Sequence, residues 1–372
     1  MEFLYENLLL ITWQQIIMCG IGGILIYLAI AKEMEPSLLL PIGFGAILVN
    51  MPFSGAVTQV VNGVLQEGAL STLYEAGIVN ELFPLLLFIG IGAMCDFGPL
   101  LSNPVLMMFG AAAQFGIFLT LCVGSMFFPI NDAAAIATIG AADGPTAIVV
   151  AQVLNSQYLS AIMVAAYSYM ALVPIIQPPV IKALTTKEER KIRMDYEPKE
   201  VSKSTRILFP IIITIVAGII APASVALVGF LMFGNLLKEC GVLNSLADTA
   251  QGPLANIITI FLGIAVASQM QAEKFLQIQT LMILALGLFA FVFDTAGGVL
   301  FAKFLNLFLK KKINPMIGAA GISAFPMSGR IIHKMGLEED NQNFLLMHSM
   351  GVNVSGQIAS VIAGGLIMSL FM

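Results

Sequence analysis

The sequence Ile139-Gly-Ala-Ala-Asp-Gly-Pro-Thr146 places a carboxylate and two helix-breaking residues inside a long apolar segment, and this combination is the main clue to the architecture. That segment runs from residue 131 to residue 155, and similar apolar runs recur along most of the chain. Of the 372 residues, 58% are apolar and only 10% are charged, whereas soluble domains carry about a quarter charged residues. We therefore predict an integral membrane protein in which one apolar segment is interrupted at Asp143.

Ten further stretches are long and apolar enough to predict transmembrane helices. They lie near residues 13–31, 38–54, 83–101, 105–129, 159–181, 207–221, 225–240, 253–271, 278–302 and 343–371. A second segment, 313–336, is interrupted by Gly, Pro and Ser. The predicted fold class is an all-α polytopic membrane protein with about ten transmembrane helices, in two repeats that each contain one re-entrant broken segment.

The distribution of basic residues predicts how the chain is oriented. Basic residues cluster between Lys182 and Arg206 and again near residues 303–312, and both clusters are expected to face the cytoplasm. Each half of the chain then holds five spans and one broken segment. Because five is an odd number, the second half enters the membrane from the opposite side. We predict a first inverted repeat, 1–182, a cytoplasmic charged loop, 183–206, and a second inverted repeat, 207–372.

A sequence echo supports this repeat. The motif Ile317-Gly-Ala-Ala-Gly321 in the second broken segment matches Ile139-Gly-Ala-Ala-Asp-Gly144 in the first, at an offset near 178 residues. The predicted topology places both chain termini outside, and the two broken segments enter the membrane from opposite sides. Their tips are therefore expected to meet near the middle of the bilayer.

Asp143 is the strongest candidate for a functional residue. A carboxylate at bilayer depth costs about 2.5 to 3.5 kcal/mol on insertion scales. Gly144 and Pro145 end the helix there and free backbone carbonyls and amides. With the Thr146 hydroxyl, these groups are the hard oxygen ligands that a small cation needs when it loses its water. The alternative is a loop at the membrane surface in which Asp143 only caps a helix.

Other polar side chains extend this candidate site. Asn314, Ser323 and Arg330 lie in the second broken segment, and Asn353 lies in the last predicted span. Arg330 could pair with Asp143, attract an anion, or anchor the chain at the cytoplasmic edge of the membrane. For Asn353 the other interpretation is helix packing.

Two further features leave alternatives open. Tyr167 and Tyr169 are two residues apart in one predicted helix, so only one of them can face the site. Asp294 lies inside an apolar run and could line the cavity or support a neighbouring helix. The sequence contains no dinucleotide fingerprint, phosphate loop, metal-binding histidine pair or nucleophile elbow, and nothing in it points to a nucleic-acid partner.

Four motifs resemble the beta subunit of the sodium ion-translocating decarboxylases, and the resemblance covers nearly the whole chain. They are Gly140-Ala-Ala-Asp-Gly-Pro-Thr-Ala147, Phe233-Gly-Asn-Leu-Leu-Lys-Glu-Cys-Gly241, Asp294-Thr-Ala-Gly-Gly298 and Asn314-Pro-Met-Ile-Gly-Ala-Ala-Gly-Ile-Ser-Ala-Phe-Pro326. The resemblance implies a membrane subunit that decarboxylates carboxybiotin, consumes a proton and exports Na⁺. It also implies a multi-pass protein of the cytoplasmic (inner) membrane.

The resemblance assigns roles to individual residues. It implies that the Na⁺ pathway consists of Asp143, Asn314, Ser323 and Asn353. It implies that catalysis uses Asp143, Tyr169 and Arg330, with the last two serving proton delivery or carboxybiotin handling. Carboxybiotin binding would involve Arg330, Ser323 and Gly318, and Gly318 would also allow close backbone packing.

The expected partners follow from the same resemblance. They are a soluble carboxyltransferase subunit, a biotin carrier subunit and a small membrane-anchor subunit, in an oligomeric complex. Biotin must be on the separate carrier, since this chain lacks the usual Ala-Met-Lys-Met carrier sequence. Composition and topology alone leave a second hypothesis open, a sodium-coupled secondary transporter of a small anion without chemistry. A scaffold subunit is disfavoured by the buried Asp143.

Overall fold

The computed structural model describes residues 10–61, 63–195 and 200–372. Within these ranges the regular structure is helical, apart from an antiparallel hairpin of β1 (Gln59–Val61) and β2 (Val64–Gln66) in which Val60 pairs with Leu65. The first nine residues and residues 196–199 of the predicted charged loop, Lys199 among them, lie outside the described part. The prediction of an all-α architecture is confirmed for the described residues.

The described residues of the first half form ten α-helices. These are α1 (Trp13–Ala31), α2 (Pro36–Val49), α3 (Ala69–Tyr74), α4 (Leu82–Met94), α5 (Gly98–Ser102), α6 (Leu106–Ala113), α7 (Phe115–Gly124), α8 (Ile130–Ala137), α9 (Gly144–Val153) and α10 (Leu159–Leu184). A π-helical turn, Glu75–Val79, follows α3, and a 3₁₀ turn, Thr138–Ala141, follows α8. The charged loop contains α11 (Lys187–Arg190).

The described residues of the second half form eight α-helices. They are α12 (Lys203–Ile220), α13 (Val225–Glu239), α14 (Asn244–Thr249), α15 (Ala255–Ala267), α16 (Ala272–Phe275), α17 (Ile278–Phe308), α18 (Met327–Glu339) and α19 (Leu346–Phe371). A 3₁₀ turn, Pro222–Ser224, joins α12 to α13, and a π-helical turn, Ala250–Leu254, joins α14 to α15. A second 3₁₀ turn, Pro315–Gly321, lies in the second broken segment.

Helix length limits the number of membrane spans in the described chain to between six and eight. Six are long and apolar enough: Trp13–Ala31, Leu106–Gly124, Lys203–Ile220, Asn244–Ala267, Ile278–Phe308 and Leu346–Phe371. Two bent pairs could add one span each, α3 and its π turn with α4 (63°) and the two halves of α10 (68°). In α10, Pro174 cannot donate to the Met170 carbonyl, which accounts for the bend.

The other two predicted spans correspond to α2 and α13. These helices have 14 and 15 residues, fewer than the roughly 20 that cross a bilayer core. The predicted span at 38–54 was longer than α2 because apolar residues continue past its end, whereas the predicted span at 225–240 differs from the end of α13 by one residue and was itself short. The count of about ten spans therefore stays a prediction.

Glycines bring the two halves of the chain into close contact. A side chain on Gly45 of α2 would overlap Ala267 of α15, and a side chain on Gly234 of α13 would overlap the backbone of Ile89 in α4. The second helix of each half therefore packs on a helix of the other half. Because of these helix contacts, the two halves share one packed interior.

Helix α17 lies between the two 3₁₀ turns. Gly298 of α17 meets Gly318 of the second turn backbone to backbone, and Gly140 of the first turn lies against Ala290 of α17. Gly318 therefore makes a close backbone contact, as the family resemblance implied. A single helix thus sets the spacing of the two broken segments.

Candidate ion site

The first broken segment turns sharply at Asp143. Ala142 adopts a left-handed conformation with φ of +52°, which is uncommon for a residue other than Gly and is often found at functional sites. Asp143 then caps α9, whose first two residues are Gly144 and Pro145. Because Pro has no N–H, one unsatisfied donor of the helix start is removed, and a carboxylate is favoured at that end of the helix.

Asp143 is buried, with 3% of its surface exposed. Its Oδ2 atom accepts hydrogen bonds from Thr146 Oγ1 at 2.7 Å and from Ser360 Oγ of α19 at 3.0 Å, while Oδ1 accepts from the Thr146 amide at 3.4 Å. The residue therefore does cap a helix, as one interpretation proposed, but it does so in the protein interior. A cap at the surface is excluded by this burial.

The tips of the two broken segments meet, as predicted. The Ser323 amide donates to the Ala141 carbonyl at 2.9 Å. The Ser323 hydroxyl lies 2.5 Å from the Ser360 hydroxyl, and it also donates to the Gly356 carbonyl at 3.0 Å. Ser360 thus links Ser323 to the Asp143 carboxylate, which brings two of the predicted Na⁺ ligands into one polar cluster.

One face of α19 completes this cluster. Asn353 donates through Nδ2 to the carbonyls of Ala320 (3.1 Å) and Ile322 (2.7 Å), and Gln357 donates through Nε2 to the Ser323 carbonyl. Both amide groups are buried, and neither Asn353 Oδ1 nor Gln357 Oε1 has a partner among the described residues. A buried acceptor without a donor is costly, so these two oxygens are suited to a cation.

The charge of Asp143 is not balanced by a basic side chain. Within the part of the chain that the structure describes, every ion pair lies elsewhere, and Lys, Arg and His are not among the partners of this carboxylate. An isolated buried carboxylate is strongly disfavoured. The site therefore needs either a bound cation or a proton on Asp143.

The two tyrosines face different neighbours, as their spacing predicted. The ring of Tyr167 lies against Gly144, and its hydroxyl has no partner among the described residues. Tyr169 instead donates to the Leu284 carbonyl of α17 at 2.5 Å. The geometry thus brings Tyr167 to the Asp143 turn, whereas the resemblance pointed to Tyr169, whose role stays a prediction.

Two other predicted site residues lie outside the cluster. The Asn314 amide donates to the carbonyls of Arg190 (2.8 Å) and Ile192 (2.9 Å), and its Oδ1 accepts from the Met316 amide at 3.1 Å. Arg330 is exposed, and its charge acts on Glu35, the residue before α2. The structure therefore shows no pairing of Arg330 with Asp143, and it places Asn314 among the residues that hold the charged loop.

Sequence reasoning missed Ser360 and Gln357. Each is a single polar residue flanked by apolar residues, so neither stood out. Gln357 follows Asn353 by four residues and Ser360 follows it by seven, which places all three on one helix face. That periodicity was the available signal.

Ion pairs hold the charged loop against the end of α18. Arg190 pairs with Glu339 at 2.6 Å, and Arg193 pairs with Asp340 at 2.6 Å. The hydrogen bond from Arg193 lowers the pKa of Asp340 below its ordinary value of 3.8. A carboxyl group with a lowered pKa stabilises the folded state at neutral pH and loses that contribution as the pH falls below about 4.

We expect trypsin to cut this loop in inside-out vesicles only, because basic loops face the cytoplasm. Asn314→Ala should speed cleavage after Lys191 and Arg193 about ten-fold, since two hydrogen bonds to the loop are lost. The control is Asn80→Ala, which removes an amide from a different part of the chain. Equal cleavage rates for Asn314→Ala and the wild type would show that Asn314 does not hold the loop. Cleavage in right-side-out vesicles would show that the loop faces the outside, opposite to the predicted topology.

Comparison with known proteins gives matches over nearly the whole chain. A family model described as the Na⁺-transporting oxaloacetate decarboxylase beta subunit matches residues 14–371. The methylmalonyl-CoA decarboxylase subunit beta of Propionigenium modestum is 49% identical over 374 aligned positions, covering 96% of this chain and 94% of the relative. The oxaloacetate decarboxylase beta chain of Klebsiella pneumoniae is 46% identical over 409 positions, covering 95% and 94%.

Proposed function

Since the chain belongs to the family of Na⁺-transporting oxaloacetate decarboxylase beta subunits, we propose that its Asp143 site couples loss of carbon dioxide from carboxybiotin to Na⁺ export. The chain is a multi-pass membrane protein. The observation that carries the proposal is the buried Asp143 carboxylate, which lacks a basic partner and faces two hydroxyl groups.

Asp143 would hold either Na⁺ or a proton. The two cannot neutralise one carboxylate at once, so arrival of the proton displaces the ion. Ser360 lies between Asp143 and Ser323 and can shift its hydrogen bond from one to the other. Export against about 100 mV costs roughly 2.3 kcal/mol per charge, and protonation of Asp143 keeps the ion from returning.

The unpartnered oxygens of Asn353 and Gln357 would supply further ligands for Na⁺. Both belong to side chains whose NH₂ groups are already bound to the second broken segment. Their oxygens are thus held in fixed orientation, as a site that replaces a hydration shell requires. The proposed metal ligands are all oxygen atoms, which suits a hard monovalent cation.

Decarboxylation of carboxybiotin consumes one proton for each carbon dioxide released, and the biotin would come on a separate carrier subunit. Arg330 is exposed and basic, so it suits the anionic carboxyl group at the cytoplasmic entrance. Tyr169 remains the proposed proton donor from the resemblance, and Tyr167 gains support from its contact with the Asp143 turn. A soluble carboxyltransferase and a small membrane anchor would complete the oligomeric complex.

Two inverted repeats remain part of the proposal, and matching element lengths support them. The helices α3 and α14 each have 6 residues, their π turns 5, and α4 and α15 each have 13. The last helices, α10 and α19, each have 26. The exchanged contacts of α2 with α15 and of α13 with α4 are those that a two-fold axis produces. The unmatched β hairpin is then an insertion in the first repeat.

The acid that donates the carboxyl group is selected by the soluble subunit. The alignment with the Klebsiella pneumoniae chain extends over 409 positions, more than the 372 residues present here, so that relative contains insertions. The alignment with the Propionigenium modestum subunit is nearly equal in length to this chain. The compact length therefore favours an acyl-CoA donor over oxaloacetate.

Reconstitution in liposomes tests the function directly. We expect the chain, given free carboxybiotin, to release carbon dioxide at a rate that rises with Na⁺ and to move ²²Na⁺ across the membrane. Liposomes without carboxybiotin are the control. Sodium-driven anion uptake without carbon dioxide release would instead establish the secondary transporter, an alternative that the named relatives, all decarboxylase subunits, do not support.

A further inference from the structure

The span Leu106–Gly124 is interrupted in its middle. Helix α6 ends at Ala113 and α7 begins at Phe115. At the junction the Gln114 amide donates to the Ala111 carbonyl at 3.2 Å, and the Ile117 amide donates to the Gln114 carbonyl at 3.1 Å. These tight turns replace the regular helical bonds at the junction, so the first amides of α7 lie inside the protein without their usual partners four residues back.

Asp294 of α17 caps those amides. Its Oδ1 atom accepts from the Ile117 amide at 3.0 Å and also lies against Gly116. The residue is fully buried. Its other oxygen, Oδ2, lies against Gly140 and has no partner among the described residues. A carboxylate from one helix therefore serves as the cap of another and touches the first broken segment.

Gln114 contacts the second broken segment from the same interruption. Its Nε2 donates to the Gly110 carbonyl at 2.9 Å and to the Gly321 carbonyl at 3.5 Å. Gly321 precedes Ile322 and Ser323, whose backbone carbonyls accept from Asn353 and Gln357. The interrupted span thus contacts the second broken segment through Gln114 and is linked to the first through Asp294 of α17.

We propose that Asp294 is a positioning residue for ion binding, which acts by capping α7 and so holding the interrupted span against both broken segments. It contacts neither Asp143 nor the hydroxyl groups around it, so it acts through the backbone of Gly116, Ile117 and Gly140. A carboxylate is suited to this position because it favours the free amides of a helix start. This inference rests on the proposed function, since its effect is on Na⁺ binding.

The test compares Asp294→Asn with Asp294→Ala in the complete decarboxylase complex. Asn keeps an oxygen acceptor for the Ile117 amide, so its half-saturating Na⁺ concentration should stay within about three-fold of the wild type. Ala removes the cap, and the half-saturating Na⁺ concentration should rise at least about ten-fold while the maximal rate changes far less. The matched control is Thr120→Val, which alters a buried residue of α7 whose hydroxyl has no partner among the described residues.

Two results would overturn the proposal: an unchanged Asp294→Ala variant, or an Asp294→Asn variant as impaired as Asp294→Ala, which would mean that the charge itself is required. If Asp294→Ala does not assemble, Gln114→Leu takes its place, with the same rise expected and an unchanged value counting against the proposal. Hydrogen exchange of residues 115–120 should quicken in Asp294→Ala and not in Asp294→Asn. That measurement does not depend on Na⁺, so it separates a failed inference from a wild type that lacks sodium stimulation altogether.

Discussion

Asp143→Asn is expected to abolish sodium-dependent decarboxylation and the coupled ²²Na⁺ transport. The Asn amide has no charge for Na⁺ or a proton to neutralise, and a buried cation that loses its anionic partner at a cost of roughly 3 kcal/mol binds at least about 100-fold more weakly. Asn has the same shape and can still accept from the Thr146 amide, so the complex should assemble normally. Transport of ²²Na⁺ into liposomes and release of carbon dioxide are measured in parallel.

Asp132→Asn is the matched control for this variant. Asp132 is also a buried acid of the first broken segment, but it accepts from Ser156 Oγ at 2.6 Å and from the Gln157 amide at 3.0 Å, away from the cluster. We expect that variant to keep coupled transport. If Asp143→Asn also kept it, the carboxylate would not be the group shared by Na⁺ and the proton.

Gln357→Leu and Asn353→Leu are expected to weaken Na⁺ binding rather than the chemistry. Each removes a buried oxygen that lacks a partner among the described residues. The half-saturating Na⁺ concentration should rise at least about ten-fold in either variant, while the rate at saturating Na⁺ changes little, because only ground-state binding of the ion is lost. The measurement is the Na⁺ dependence of carbon dioxide release.

Gln177→Leu separates ion binding from simple tethering. Gln177 also donates to the second broken segment, at 2.7 Å from the Ala319 carbonyl, but its Oε1 already accepts from Ser328 Oγ at 3.0 Å. This control should destabilise the protein and leave the Na⁺ dependence within about three-fold of the wild type. A shift as large as that of Gln357→Leu would mean that the amides matter only as tethers.

The membrane environment and the break at Asp143 could be predicted without coordinates. Apolar runs decide the solvent of a helix, and Gly144 with Pro145 ends a helix wherever it lies, so both inferences depend on local chemistry. The meeting of the two broken segments was predicted as well, from an inverted topology that itself stays a prediction. The end of α2 was not predicted, because apolar side chains continue past it.

The sequence alone showed that Asp143 is a carboxylate inside an apolar segment of a membrane protein, where such a group is costly whatever surrounds it. The side chains around this carboxylate became known only from the packing of the helices. Ser360 and Gln357 lie more than 200 residues away along the chain, and their approach depends on the rotation and depth of α19. The same holds for Tyr167, which faces the site because α10 presents that side to Gly144. Contacts of this kind depend on how helices pack, and no local pattern records that packing.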